Sequence, residues 1–368
     1  MSAGEVLAAL PLVDAHCHRL LAEAVDADRF ERYCTEADRL PPGTAWDSPA
    51  GLAIRRWCPP ALDLPAFAPP ADYLRRRGEL GLAEVDARLL RAAGLSHLLV
   101  DTGLPGAPVE SLARAAGAPV SEVVRLERVA EELTADGVTA GGFAAAYVDR
   151  LAEAARGAVA TKSVLAYRHG LDVEPGRPGP AEVRGAAGAW LARAGRRLDH
   201  PVLLRFVLWA GVDLGLPVQV HTGLGDTDLA LHRSDPALLQ PWLAAVEPAG
   251  VAVVLLHCYP YHRQAGWLAA VYPHVHVDVG LVAGQVGAGA DRVLGECLEL
   301  APAAKVVFST DGYRLPERYL VGAAQFRLSL GRALDRRVND GAMSAGDAER
   351  VARLVGAANA RRVYALTS

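Results

Sequence analysis

The segment Val13-Asp14-Ala15-His16-Cys17-His18 places two imidazoles two residues apart after an apolar start. In a strand, side chains at i and i+2 share a face, so His16 and His18, with Asp14 below them, should project together. Two imidazoles side by side suit a borderline divalent metal such as zinc, manganese or iron. Cys17 then points to the other face and reads as core. Three further apolar runs end in the same way. Val218-Gln219-Val220 leads to His221, Val254-Leu255-Leu256 to His257, and Val307-Phe308-Ser309-Thr310 to Asp311, each just before a turn. One buried histidine is ordinarily a hydrogen-bonded core residue. Four histidines and an aspartate at the carboxyl ends of strands need a common compensating partner, a metal or a substrate.

A second pair, His274 and His276, has the same spacing. It precedes the apolar part of its run and so falls at the amino end of a strand, where residues serve stability. Lys162 lies in the apolar run Ala160-Thr161-Lys162-Ser163-Val164. Of 38 basic residues, all but Lys162 and Lys305 are arginine, so a surviving lysine carries more information than usual. A buried lysine must be paired, deprotonated or modified. Lys162 has three readings: a carbamate formed with CO₂ that bridges two metals, a partner for a substrate carboxylate or for Glu127 on the third strand, or a lysine that snorkels at a strand end. The strand continuing past it to Tyr167 weighs against the carbamate.

Eight short apolar runs can hold these residues: 12–18, 97–102, 123–127, 159–165, 217–222, 251–258, 276–280 and 305–311. Stretches of helical period separate them, among them 139–156, 181–214 and 264–271, and two more, 317–334 and 345–366, follow the last. This alternation predicts an α/β fold, a (β/α)8 TIM barrel with extra C-terminal helices, whose carboxyl strand ends share one mouth. A doubly wound open sheet is the competing topology, but no GxGxxG follows the first run. Residues 19–95 are far longer than a crossover needs. They carry three Pro-Pro pairs with Trp46 and Trp57 and read as an insertion over the barrel mouth. The chain, 1–368, is expected to form a single domain.

Composition bounds the function classes. Hydrophobic residues at 51% and charged residues at 22% describe a globular chain. A net charge of −4 offers no nucleic-acid surface, and no apolar run is long enough for a membrane helix. The first residues lack a basic, cleavable leader, so a cytoplasmic location is expected. Five cysteines without CxxC spacing argue against a disulfide framework.

Taken together, HxH on the first strand, His221 on the fifth, His257 on the sixth and Asp311 on the eighth resemble the amidohydrolase superfamily, in particular its amidohydrolase-2 branch. Longer runs are similar to the amidohydrolase-like half of FluG and nodulin–glutamine synthetase fusion proteins. They include Val220-His221-Thr222-Gly223-Leu224-Gly225-Asp226, Leu256-His257-Cys258-Tyr259-Pro260-Tyr261 and Ser309-Thr310-Asp311-Gly312. The glutamine-synthetase half is expected to be absent. The resemblance implies that His16, His18, His221 and Asp311 bind or face one divalent metal, most simply zinc, and that His257 serves a second, which a carboxylated Lys162 would bridge to the first. His257 is otherwise an acid facing the attacked oxygen. Asp311 would take the proton from the attacking water, making Asp311 and His257 the catalytic pair, and Asp14 would orient a ligand histidine. Arg168, Tyr259 and Arg314 follow strands and would meet the substrate, the arginines through its carboxylate.

The expected function is hydrolysis of a C–N, amide-type bond in a small, carboxylate-bearing substrate. Decarboxylation or isomerisation on the same metal site, and an inactive binding scaffold, are the competing readings. The expected partner is a small molecule rather than nucleic acid or membrane, and the terminal helices leave room for a homo-oligomer.

Overall fold

Eight strands form in the order the chain alternation predicts: β1 (Leu12–Cys17), β2 (Leu95–Asp101), β3 (Val120–Arg125), β4 (Ala160–Ser163), β5 (Val218–Thr222), β6 (Val253–His257), β7 (Val275–Asp278) and β8 (Val306–Val307). The computed structural model describes residues 2–193 and 197–367. Each strand pairs in parallel with the next, from β1 through to β8. The chain beyond β8 then returns to β1. Ala15 N–H donates to Phe308 O (3.0 Å), Asp311 N–H to His16 O (3.0 Å) and His18 N–H to Gly312 O (2.7 Å). With helices between the strands, this is the (β/α)8 barrel.

Two separate apolar clusters explain the strand sequences. Val13, Ala15, Leu99, Val123, Val254 and Val307 pack together inside the barrel, sealed by Tyr364 from beyond the helix Asn359–Val363. The alternate residues, such as Val218, Val220, Val253 and Leu255, belong to the larger core against the helices. A barrel strand is buried on both faces, so its sequence reads as a continuous apolar run.

Several boundaries differ from the sequence expectation. β4 ends at Ser163, and Leu165–Arg168 is one turn of helix, so Lys162 stands at the mouth and not within a longer strand. Glu127 lies in the first turn of the helix Leu126–Leu133 and not on β3. The single helix expected over 181–214 is two, Pro180–Leu191 and Pro201–Asp213, with residues 194–196 of that span outside the described residues. Pro201 opens the second of these, as proline does at a first helical position.

The insertion 19–95 holds five helices. Its aromatic centre stacks Phe30 on Trp46 (5.2 Å) with Tyr73 beside them. Tyr73 Oη (2.7 Å) and Arg77 Nε (2.6 Å) both donate to Glu317 Oε1 at the start of the helix Pro316–Asn339. These contacts tie part of the insertion to the helix that follows β8. The stretch around residues 36–38 reaches the mouth: Glu36 pairs with Arg318, and Asp38 accepts from Thr227 in the loop after β5.

Candidate metal centre

Strict alternation along β1 would send Asp14, His16 and His18 to the same face, opposite Val13 and Ala15. The structure breaks that alternation. Asp14 pairs with Leu98 and Cys17 with Val100, so three steps on β1 match two on β2. This bulge turns His16 into the barrel beside Ala15 and leaves Cys17 outside, where its thiol donates to Leu99 O (3.4 Å). Asp14 is left between β1 and β8. It accepts from the Thr310 backbone (2.8 Å), the Thr310 hydroxyl (2.5 Å) and the His16 backbone (3.4 Å), and it does not touch the His16 ring. It therefore braces the strand ends rather than orienting an imidazole.

His257 and Asp311 are also re-aimed by their backbones. His257 follows inward-facing Leu256 and would point outward in a regular strand. It instead takes φ +68, and Asp311 takes φ +48, both left-handed. Such conformations cost a non-glycine residue about 1–3 kcal/mol and persist where surrounding bonds over-determine them. Asp278 supplies those bonds at His257. Its Oδ1 accepts the His257 N–H (2.8 Å) and the Gly280 N–H (3.0 Å), and its Oδ2 accepts from the Ser309 hydroxyl (2.8 Å).

The side chains so placed converge. Asp311 Oδ1 lies 3.4 Å from His16 Nε2 and 3.2 Å from His18 Nε2. The His257 ring lies 5.8 Å from His16 and 4.7 Å from His221, which Tyr167 covers at 4.5 Å. Lys162 Nζ sits 2.7 Å from His16 Nε2 and 3.6 Å from Asp101 Oδ2. Lys162 thus pairs with Asp101 and His16, not with Glu127, whose carboxylate accepts from Ser163 Oγ (2.6 Å) and Val164 N–H (2.9 Å). Two triads could hold an ion, His16/His257/Asp311 and His16/His18/Asp101. His221 belongs to neither, although it faces the same cavity.

Burial sets the protonation states. It pushes His16 down to about 4, helped by Lys162, and takes His221 and His257 well below the usual histidine range. Burial alone would raise Asp311, but His257, His16 and His18 around it hold its carboxyl well below the ordinary value. Burial lowers Lys162. Burial thus favours the neutral form of His16, His221 and His257 beside an ionised Asp311, the form in which these groups bind metals.

The donor set fits a divalent ion. His221 Nε2, both nitrogens of His257, His18 Nδ1 and Asp311 Oδ1 are buried without a hydrogen-bond partner. Unsatisfied buried atoms of this kind are costly unless something absent from the protein meets them. Ligand atoms about 2.1 Å from a tetrahedral ion stand about 3.4 Å apart. The separations of Asp311 Oδ1 from His16 and His18 match that spacing.

A cavity of about 720 Å³ opens over the cluster, lined among others by His18, Lys162, His221, His257, Asp311 and Arg168. Arg168 donates to Glu131 Oε1 (3.0 Å), and its buried Nε has no partner. Tyr259 and Arg314 do not line this cavity. Tyr259 stacks on His262 (5.7 Å), and the Arg314 guanidinium lies over the rings of Tyr33 (4.4 Å) and Tyr313 (4.5 Å). Both follow strands, but their rims turn them away. Asp101, Arg125 and Gln219 are site residues that the sequence reading passed over. Asp101 ends the run Leu98-Leu99-Val100 as the ligands end theirs, and Gln219 precedes His221 by two, so both signals were present.

Comparison with known proteins agrees with this architecture. The family described as Amidohydrolase matches residues 13–366. The chain is 29% identical to Protein fluG of Emericella nidulans over 97% of its own length and 46% of that protein, so it spans about half of the curated relative it matches. A crystal structure of a candidate metal-dependent hydrolase from Lactobacillus casei superposes with a TM-score of 0.89 at 28% identity, covering 99% of this chain and 97% of that one. Glucuronate isomerase from Caulobacter crescentus shares the fold at a TM-score of 0.70 and 16% identity, covering 100% of this chain and 93% of that chain. Among the described residues no helix is long and apolar enough to cross a membrane.

Proposed function

This chain belongs to the amidohydrolase family and is an enzyme of that superfamily, and from that premise we propose that it hydrolyses a C–N, amide-type bond of a small, carboxylate-bearing substrate. The observation that carries the reading is the set of unpartnered, buried imidazole and carboxylate atoms facing one cavity at the carboxyl ends of the strands. His16, His18, His221 and Asp311 would hold a first divalent ion, with zinc the best match to nitrogen and carboxylate donors and manganese or iron the alternatives. His257 would serve a second, bridged to the first by Lys162 if that residue is carboxylated. A bound ion supplies Lewis acidity, bringing the pKa of water to near 7 and polarising a carbonyl.

The residues of the chain do the rest. Asp311, held ionised among histidines, accepts a proton from the attacking water and returns it to the departing amine. With a single ion bound, His257, braced by Asp278, would instead face the attacked oxygen. Arg168, which lines the cavity, would meet the substrate carboxylate with its guanidinium. The stretch around residues 36–38 reaches across the mouth and limits water entry. An unmodified Lys162 ammonium would compete with an ion for the His16 lone pair. Loss of two protons from the ammonium with addition of CO₂ to Nζ would convert that cation into an anionic carbamate ligand and remove the competition. We read the chain 1–368 as one catalytic unit acting on a small molecule.

The test is turnover of a panel of N-acyl amino acids in ¹⁸O-labelled water, after metal reconstitution. Label in the acid product supports hydrolysis. CO₂ release without label would assign a lyase, and aldose–ketose exchange of a uronate without label an isomerase.

A further inference from the structure

Gln219 takes no part in that chemistry, yet it is wholly buried in the barrel below the ligands. All of its polar atoms are engaged. Its Nε2 donates to Ala15 O (2.7 Å) and to Tyr364 Oη (2.8 Å). Its Oε1 lies 2.8 Å from His16 Nδ1. Turning the amide over would set Oε1 against the Ala15 carbonyl, two acceptors at 2.7 Å, so the orientation is determined by the backbone. With Oε1 facing it, His16 Nδ1 must carry the proton. The other side of the ring is compatible with this: with Nδ1 protonated, His16 Nε2 presents its lone pair to Lys162 Nζ at 2.7 Å, an N–H donor.

We propose that Gln219, itself anchored by Ala15 O and Tyr364, is the positioning residue that holds His16 as the Nδ1–H tautomer and keeps its Nε2 lone pair aimed at the metal cluster. Tyr364 arrives from beyond the last helix and seals the barrel floor. The C-terminal segment is thereby connected to a mouth ligand through two hydrogen bonds. Groups that orient a ligand histidine in this way typically change metal affinity about 10–100-fold when removed. The inference rests on the reading of His16 as a ligand, but the tautomer itself can be observed without metal.

Two measurements test it. A long-range ¹H–¹⁵N spectrum of the metal-free chain, with His16 assigned by comparison with His16→Gln, should show a protonated Nδ1 and a bare Nε2. Zinc dissociation constants should then be compared for Gln219→Met and Gln219→Glu. Methionine fills the volume without an acceptor and should weaken binding about 10–100-fold. Glutamate keeps an acceptor for Nδ1–H and should bind more tightly than the methionine variant. A packing role alone gives the reverse order, because methionine buries no charge. Tyr364→Phe removes one anchor and should weaken binding about threefold, the worth of a modest neutral hydrogen bond. A protonated Nε2 in the wild type, or a methionine variant that binds zinc as tightly as the wild type, overturns the proposal. An unchanged Tyr364→Phe removes Tyr364 from it. If the methionine variant does not fold, the wild-type tautomer decides alone. If the wild-type chain binds no metal, the reading of the site fails while the tautomer result still stands.

Discussion

His16 and His18 stand at the carboxyl end of β1, and His274 and His276 at the amino end of β7. Both pairs are separated by one residue and both are largely shielded from water. Around the first pair stand Asp311, Lys162, Asp101 and Gln219, brought from four other strands. Around the second, His276 Nδ1 meets only the His274 carbonyl (3.3 Å), and His274 packs beside the Tyr272 ring (6.1 Å). Among the described residues no carboxylate comes within 4.0 Å of either histidine of that pair. The same motif thus joins a cluster of potential metal donors at one end of the barrel and is a piece of floor at the other. Its chemistry follows from what seven other strands deliver at that level, and in a parallel barrel polar groups converge only at the carboxyl ends.

The largest separation of the two pairs should come from single deletions. His16→Ala is expected to lose the bound metal and about 10³-fold in kcat/KM, the scale of several kcal/mol of transition-state charge stabilisation. His274→Ala should keep full metal content by elemental analysis and activity within about twofold, as expected of a position far from the reacting atoms. Equal losses in both variants would erase the distinction. Lys162→Arg should come next, with about 10²-fold lower kcat/KM, because a guanidinium cannot lose its proton, accept CO₂ or fit where the ammonium sits. Unchanged steady-state kinetics in that variant would make Lys162 structural.

Metal removal gives a third contrast. An ion held at about 100 times its dissociation constant stabilises the fold by about 2.7 kcal/mol, so a chelator should lower the melting temperature of the wild type and of His276→Gln alike. His16→Ala should be indifferent to the chelator. Scanning calorimetry of the three proteins checks this.

The smallest effect belongs to the floor pair and to pH. Burial pushes His276 down to about 4. The unfolded chain binds a proton at this residue near 6.5 that the folded chain does not bind until about 4, so its contribution to stability is lost as pH falls through that window. His276→Gln should reduce the acid-induced loss between pH 7 and 4.5 by about 1 kcal/mol, less than the full shift implies because the ring is only partly shielded. Urea unfolding at both pH values measures it. An unchanged difference would mean the floor histidines do not drive that acid sensitivity.

The barrel was legible because each strand is buried on both faces and leaves a short apolar run, and because turn residues close each run. The candidate donor positions at strand ends were legible for the same reason. Which way those residues point was not. His16 faces inward only because β1 bulges, and His257 and Asp311 only because their backbones are left-handed. Neither feature has a local signature such as glycine. Tyr259 and Arg314 occupy rim positions like that of Arg168, yet the Tyr259 ring stacks on His262 and the Arg314 guanidinium on Tyr33 and Tyr313, and neither lines the cavity.

By itself the sequence determined the strand count, the parallel order, the barrel mouth as the place of chemistry and five residues that could bind metal there, because apolar periodicity and run termini are local properties of the chain. Only the tertiary structure decided that Asp14 and Asp278 brace backbones, that Lys162 meets His16 and Asp101, and that Gln219 links the floor to a ligand. Those contacts join residues separated by tens to hundreds of positions, and no local pattern encodes which strand ends close the ring together.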